Sequence, residues 1–389
     1  MKRRVGTKVV SGARTLPPGG GVPVVPPLVQ SVAFDYASLA EQDAVFGGEQ
    51  DGYVYGRYGT PTTAALEVLL AELDELPRAT CFASGMSALH ALLTAHRGRL
   101  VVQEDCYGGT RALAERLRTE DGREVRFVDP TDPSAVAAAV IPGALVLVEA
   151  ISNPLLRVVD VAAVAGAAHA AGGTVAVDAT FATPVLLRPA LHGADVVLHS
   201  LTKYLNGHGD VMGGSVAGGE ELGARLADRV QLDGAYLAPH EAWLCIRGLR
   251  TLELRVRRQC ESALLIATHL ASHPKIGTVR YPGLAEHPQH ELATRQLGGL
   301  YGGVVGATLR VDERAAAIRF LDALELAASA TTVGDLFTEV LYPPVSSHRR
   351  LDAAERARLG MSEGFVRISV GIEDPADIIE DLDAALQKV

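Results

Sequence analysis

The 389-residue sequence has no excess of positive charge: 36 Lys+Arg stand against 46 Asp+Glu, a formal net charge of −10. That balance argues against a nucleic-acid backbone as main partner, because such binding works by neutralising phosphates with Lys and Arg. No run of 18 uncharged apolar residues occurs, so no membrane span is expected. The basic start, Met1-Lys2-Arg3-Arg4, leads into no apolar signal core, and a cytoplasmic protein is expected. Cysteine is sparse. Cys81, Cys106, Cys245 and Cys260 form no CxxC pair, which excludes a disulfide framework and a clustered-thiolate zinc site; four reduced thiols are expected. The nucleotide loop GxxxxGK[ST] is absent. What remains is a globular composition, 48% hydrophobic and 21% charged, that rules out a wholly disordered chain. At roughly 150 residues per domain the length allows two or three domains.

Residues 11–30 are rich in Gly and Pro and can form neither a regular helix nor a central strand. They read as an extended arm, with regular structure expected from about Thr60-Pro61-Thr62 onward. Apolar residues at helical spacing mark Thr63–Leu76. Then short buried runs alternate with helical stretches: Leu100–Val102, Ala144–Val148, Thr174–Val177 and Asp195–Leu198, with the Ala-rich stretch Ala162–Ala171 suited to a helix. That alternation predicts an α/β domain with a mostly parallel sheet. After about residue 250 the pattern changes to one long amphipathic helix, Thr251–His273, and a smaller α+β unit ending in a helix over Pro375–Leu386. The expected division is an N-terminal arm over 1–60, a large α/β domain over 61–250 and a C-terminal α+β domain over 251–389.

Each buried run ends in a polar residue: Glu149 and then Asn153, Asp178, and His199-Ser200 with Thr202 and Lys203. In open α/β sheets the carboxyl ends of the strands form the ligand crevice. A lysine there, desolvated, is a candidate Schiff-base former; a lysine snorkelling from a helix start is the plainer alternative. Asp178 lies 203 − 178 = 25 residues earlier, at the end of the preceding run. A pyridoxal phosphate enzyme needs such a pair, the lysine for the aldehyde carbon and the carboxylate to keep the pyridine nitrogen protonated. A turn or helix-cap aspartate is the plainer reading. Ala83-Ser84-Gly85-Met86-Ser87-Ala88 opens a helical stretch and can offer backbone N–H groups to a phosphate. His192 and His199 are metal-ligand candidates only in isolation, and no metal is expected.

With these residues in view, the sequence resembles the Cys/Met-metabolism family of pyridoxal phosphate enzymes, which includes cystathionine γ-synthase, cystathionine γ-lyase and methionine γ-lyase. The resemblance runs from Val25-Pro26-Pro27 to Arg367-Ile368-Ser369-Val370-Gly371-Ile372-Glu373-Asp374. Its most specific segment is Ser200-Leu201-Thr202-Lys203-Tyr204 with Gly207-His208 and Asp210. It implies a type I pyridoxal phosphate-dependent transferase fold and the cofactor pyridoxal 5'-phosphate. It further implies that Lys203 holds the cofactor and moves protons, that Asp178 pairs with the ring nitrogen and that Thr180 touches the ring. Tyr107, in Cys106-Tyr107-Gly108-Gly109-Thr110, would stack on the ring and exchange a proton. Asn153 would reach the phenolic oxygen, and Gly85, Met86, Ser200 and Thr202 the phosphate. Tyr55 and Arg57 would reach the phosphate in a neighbouring subunit, which implies at least a dimer and, by resemblance, a tetramer. Arg367 would clamp the substrate α-carboxylate, with Thr332 and Asn153 beside it.

The sequence departs from the family at Ala179, where most relatives have Asn, and at Ile151, where they have Pro. Thr331 stands where cystathionine-handling members place a glutamate, and Gly109 where methionine γ-lyases place a cysteine. The expected activity is γ-elimination from a sulfur amino acid (methionine, homocysteine or cystathionine) to a thiol, ammonia and 2-oxobutanoate. γ-Replacement on an activated homoserine is the alternative. A catalytically silent oligomer that keeps the cofactor contacts is a remoter one.

Overall fold

Side chains alternate in direction along a strand, so a run that is apolar throughout must be covered on both faces. The computed structural model of the chain, which describes residues 3–13, 23–349 and 351–389, has that arrangement. Seven strands, β1 (Arg78–Phe82), β2 (Leu100–Gln103), β3 (Val125–Val128), β4 (Leu145–Glu149), β5 (Thr174–Asp178), β6 (Val196–Ser200) and β7 (Gly214–Gly218), form one sheet. Their order is β1-β7-β6-β5-β4-β2-β3. All pairings from β3 to β6 are parallel, and only β7 runs against its neighbours. Val101, Val146, Val148, Val175 and Val177 enter one core with the helices Pro61–Asp74, Val161–Ala170 and Pro239–Leu249. Leu100, Val102, Leu145, Leu147 and Ala176 enter another, with the helices Gly85–Ala95 and Gly108–Glu120.

A second sheet contains β8 (Ile276–Arg280), β9 (Val304–Leu309), β10 (Ala328–Ser329), β11 (Glu339–Leu341) and β12 (Phe365–Ser369), ordered β10-β11-β12-β9-β8 and mostly antiparallel. One of its faces packs on the long helix Leu252–Ser272 and the terminal helix Pro375–Leu386. Val366 and Ile368 belong to that core, so the alternate residue Arg367 points the other way, toward the ends of β4 to β6.

The expected strands and helices over 61–386 are present within a residue or two of their expected bounds. The N-terminal part differs. It is not an unbroken extended arm, because helices occupy Val5–Ser11 and Leu39–Phe46. The first is only seven residues long and is held by docking. Lys8 Nζ donates to the carbonyl of Glu72 at 2.5 Å and meets Glu75 Oε1 at 3.1 Å, a cation placed at the end of the Pro61–Asp74 helix. Residues 23–30 are irregular, as expected, with Trp243 Nε1 donating to the Pro26 carbonyl at 3.0 Å; 14–22 lie outside the described residues. No described helix is long and apolar enough to cross a membrane. All four cysteines are buried and unpaired.

The turn that carries Lys203 is clamped from behind. Buried Arg255 donates to the carbonyls of Tyr204 (2.8 Å) and Gly248 (2.9 Å) and to Thr251 Oγ1 (3.0 Å). Gly207 passes so close that a Cβ would sit 1.9 Å from Arg255 Nη1, and its φ is +68°. Gly207→Ala should therefore destabilise the cofactor-free protein by about 2 kcal/mol or more, from left-handed strain plus displaced Arg255. A thermal melt checks this, and an unchanged midpoint would contradict the clamp.

Candidate active site

Three adjacent parallel strands end together, and their last residues converge. In register, Glu149 stands beside Asp178, and Asp178 beside Leu198. Across from them Arg367 descends from the second sheet. Between lies a cavity of about 530 Å³.

Lys203 sits in the turn Leu201–Leu205 with a non-helical backbone (φ −88°, ψ −138°). Its Nζ donates to Thr332 Oγ1 at 2.8 Å. Burial, and next the Arg367 guanidinium, hold its pKa below the usual lysine range, against the opposing pull of Asp335 and Glu339. Arg367 is buried, donates from Nη1 to Asn153 Oδ1 at 2.9 Å and from Nη2 to the Thr332 carbonyl at 3.0 Å, and is brought down to about 10 by burial. Its Nε is buried with no partner among the described residues.

Asp178 Oδ1 accepts the Thr180 amide at 2.9 Å, and burial raises its pKa. Thr180 in turn accepts the Ser200 amide on Oγ1 at 2.9 Å. Behind this row, buried His199 Nε2 meets Asp74 Oδ1 at 2.9 Å. Burial disfavours the imidazolium, yet the Asp74 carboxylate and then Asp178 outweigh it and raise the pKa. His199 is therefore committed to an internal ion pair.

Ser84 caps the helix Gly85–Ala95 by accepting the Ser87 amide. The first-turn amides of Gly85 and Met86, which border the cavity, have no acceptor inside that helix. A Cβ on Gly85 would come within 3.0 Å of Ser200. Thr202 also borders the cavity, its Oγ1 accepting the Gly213 amide at 3.0 Å. Tyr107 opens the helix Gly108–Glu120 and borders the cavity with Asn153, Thr331 and Thr332. A Cβ on Gly109 would lie 2.5 Å from the Tyr107 ring and 3.0 Å from Met86 Sδ.

Thus Gly85, Met86, Tyr107, Asn153, Asp178, Thr180, Ser200, Thr202, Lys203, Thr331, Thr332 and Arg367 all line one cavity. Tyr55 and Arg57 do not. Arg57 donates to the Gln231 carbonyl and lies over the rings of Tyr55 and Tyr58. Sequence reasoning placed Glu149 at the ligand end of its strand without a role and missed the acids Asp335 and Glu339. Glu149 lines the cavity, and burial, then Asp178, push its pKa well up. Asp335 and Glu339 flank Lys203. A glutamate inside the run Thr338-Glu339-Val340-Leu341 was a usable signal, because an acid on a buried strand face needs a reason. The Asp74–His199 pair had none, its members lying 125 residues apart.

The arrangement combines a half-buried amine with no carboxylate in hydrogen-bond contact among the described residues, a carboxylate at a strand end, helix-start amides and a buried guanidinium. Comparison with known proteins decides what it is. The family model described as Cys/Met metabolism PLP-dependent enzyme matches residues 7–387. The chain belongs to that family. It is 40% identical over 359 residues to O-succinylhomoserine sulfhydrylase of Pseudomonas aeruginosa, covering 91% of this chain and 89% of that protein. It is 38% identical over 377 residues to L-methionine gamma-lyase of Pseudomonas putida, covering 95% and 94%. A crystal structure of a cystathionine gamma-lyase from Micromonospora echinospora superposes with a TM-score of 0.91 at 39% identity, over 99% of each chain. The protein is accordingly a pyridoxal phosphate-dependent enzyme of carbon–sulfur chemistry with the type I transferase fold. The residues fit the cofactor: the amine of Lys203, the acid of Asp178 and the amides of Gly85 and Met86 border one space.

Glu339 supplies a pH test. Burial and then Asp335 raise its pKa from 4.5 to about 7. An acid whose pKa rises on folding makes the folded chain bind more protons than the unfolded one. Its contribution is then complete below pH 4.5 and is lost as pH rises toward about 7. In the cofactor-free protein, Glu339→Gln should raise the thermal midpoint relative to wild type more at pH 8 than at pH 5. An equal difference at both pH values would contradict that placement.

Proposed function

We propose that the protein is a C–S lyase that releases a thiol from a sulfur amino acid by γ-elimination, with methionine, homocysteine or cystathionine as substrate. With water the products are 2-oxobutanoate and ammonia. The observation that carries this reading is the lining beyond Lys203 and Arg367. Those two are the only cations among the described lining residues, and the rest includes Met86, Leu89, Ile151, Phe181, Met212 and Val333. Such a wall suits a thioether and offers no further cation to a second carboxylate, such as that of a succinyl ester. The lack of a charge on Thr331 supports the same choice.

When bound, pyridoxal phosphate supplies an electron sink for carbanions at the substrate α-carbon. Lys203 would hold the cofactor's aldehyde end and move protons at the substrate's α- and β-carbons. Its lowered basicity makes the neutral amine available. Asp178 keeps the ring nitrogen protonated. Arg367, held by Asn153 and the Thr332 carbonyl, would take the α-carboxylate in a two-pronged contact with its remaining N–H groups, the unpartnered Nε among them. Asn153 would hold the phenolic oxygen, Gly85, Met86, Ser200 and Thr202 the phosphate, and Thr180 and Tyr107 the ring, with Tyr107 passing a proton to the departing sulfur. The partner subunit's Tyr55 and Arg57 complete the phosphate site, so the working form is at least a dimer and, in this reading, a cytoplasmic homotetramer. Exposed Val24, Val25, Val32, Leu39 and Phe46 support contact between this N-terminal segment, 24–46, and a neighbour. The divisions at about 60 and 250 belong to the same proposal.

The alternative, γ-replacement on an activated homoserine, shares every cofactor contact. Assays with methionine, cystathionine and O-acetylhomoserine, each with and without added thiol, separate the two. 2-Oxobutanoate from methionine or cystathionine without thiol is expected; thioether formation without appreciable 2-oxobutanoate would overturn the lyase reading. A cysteine at 109 should disturb the Tyr107 ring that occupies its Cβ position. Gly109→Cys is expected to change kcat for methionine at least about tenfold, the scale of a misplaced catalytic group. An unchanged kcat would show that Tyr107 is not constrained from this side.

A further inference from the structure

Glu149 has no part in the chemistry above, yet it lines the cavity at the end of β4 and is only 5% exposed. Both of its carboxylate oxygens are committed. Oε1 accepts the backbone amide of Tyr107 at 2.6 Å, and Oε2 accepts that of Asn153 at 2.8 Å. These amides belong to segments 42 and 4 residues away in sequence, on either side of the site. The second segment continues to Arg367, whose Nη1 donates to Asn153 Oδ1.

The carboxylate is itself anchored. Its own backbone amide donates to Gln103 Oε1 at 2.8 Å, Gln103 Nε2 donates to Asp105 Oδ1 at 2.8 Å, and Asp105 Oδ2 accepts the Ser152 hydroxyl at 2.9 Å. The ends of β2 and β4 and the segment before Asn153 are thereby stitched together. With both oxygens occupied by backbone amides, Glu149 is poorly placed to act as an acid or base. Nor does stability explain it: a carboxylate buried beside Asp178 is a costly group to keep.

We propose that Glu149 is a positioning residue, which through its two oxygens fixes the backbone of Tyr107 and Asn153, and through Asn153 the guanidinium of Arg367, in the arrangement that cofactor and substrate require. The inference rests on the functional reading above for those three side chains. Glutamate is demanded by the geometry. Glutamine would turn an N–H toward one of the two amides, and aspartate is one methylene too short to span both.

The test uses the full-length protein as Glu149→Gln and Glu149→Asp. In the cofactor-free form, hydrogen exchange should show that the amide of Tyr107 or of Asn153 loses at least about tenfold protection, the equivalent of one hydrogen bond. In the loaded form, pyridoxal phosphate should dissociate at least about tenfold more readily, and its visible circular dichroism should fall because the ring is no longer held asymmetrically. The unfolding midpoint of cofactor-free Glu149→Gln should stay level or rise. Should that variant not fold, Glu149→Asp, which keeps the charge, gives the same readouts. Unchanged amide protection with unchanged dichroism in a folded variant would overturn the proposal. So would a lowered midpoint with cofactor retention intact, which is a purely structural role. Failure of the wild-type protein to take up the cofactor would instead strike at the functional reading itself.

Discussion

A half-buried cation, Lys203, and a buried one, Arg367, face one cavity with neutral oxygens as their hydrogen-bond partners. Lys203 donates to the Thr332 hydroxyl, and Arg367 donates to the Asn153 amide oxygen and the Thr332 carbonyl. Leaving positive charge partly out of water without a carboxylate in contact is costly, and the Arg367 guanidinium further lowers the affinity of Lys203 for a proton. The fold tolerates this because more distant acids, Asp335 and Glu339, oppose it. What the arrangement favours is an anion at Arg367 and a less basic amine at Lys203. Both belong to amino-acid chemistry on an aldehyde cofactor.

Two separate sheets are needed to build that pair. Lys203 follows β6 of the large sheet, whereas Arg367 lies on β12 of the small one, facing away from its own hydrophobic core. Arg255, on the long helix that also packs against the small sheet, reaches back to the carbonyl of Tyr204 beside the lysine. The relative placement of amine and guanidinium is therefore set by packed elements, with Thr332 as the residue that touches both. The acids near the site are individually unfavourable, yet each acts on a group that borders the cavity: Asp335 and Glu339 oppose the lowered basicity of Lys203, and Glu149 accepts the amides of Tyr107 and Asn153.

Much of this could be read from the residues in order. Strands that are apolar throughout, such as Ala144–Val148, left no doubt that both sheet faces are covered, and the polar residue following each run marked the ligand end. The lysine, its aspartate and the carboxylate arginine came from a dense local signature around Ser200–Tyr204 and from Arg367. In the large sheet three strands were not legible. Arg78–Phe82 and Val125–Val128 are interrupted by polar residues, Arg78 and Thr80 in one and Arg126 in the other, and Gly214–Gly218 is bounded by glycine, which local propensity reads as a turn. The strands of the small sheet were read only as part of an α+β unit. The helix Val5–Ser11 was hidden for another reason: its stability comes from Lys8 meeting the end of a distant helix, and no window of local sequence contains that contact. Likewise Glu149 is an ordinary acid until folding delivers two backbone amides to it. Spatial convergence of segments far apart in sequence is what single-sequence patterns omit, and the positioning groups of this site are of that kind.

The central claim is covalent: the aldehyde of pyridoxal phosphate is held by the ε-nitrogen of Lys203. Borohydride reduction of the loaded protein, followed by peptide mass mapping, tests it directly. The account predicts a pyridoxyl phosphate adduct on the peptide containing Lys203 and on no other lysine. Its absence there, or its presence only on Lys2, Lys8, Lys275 or Lys388, would contradict it.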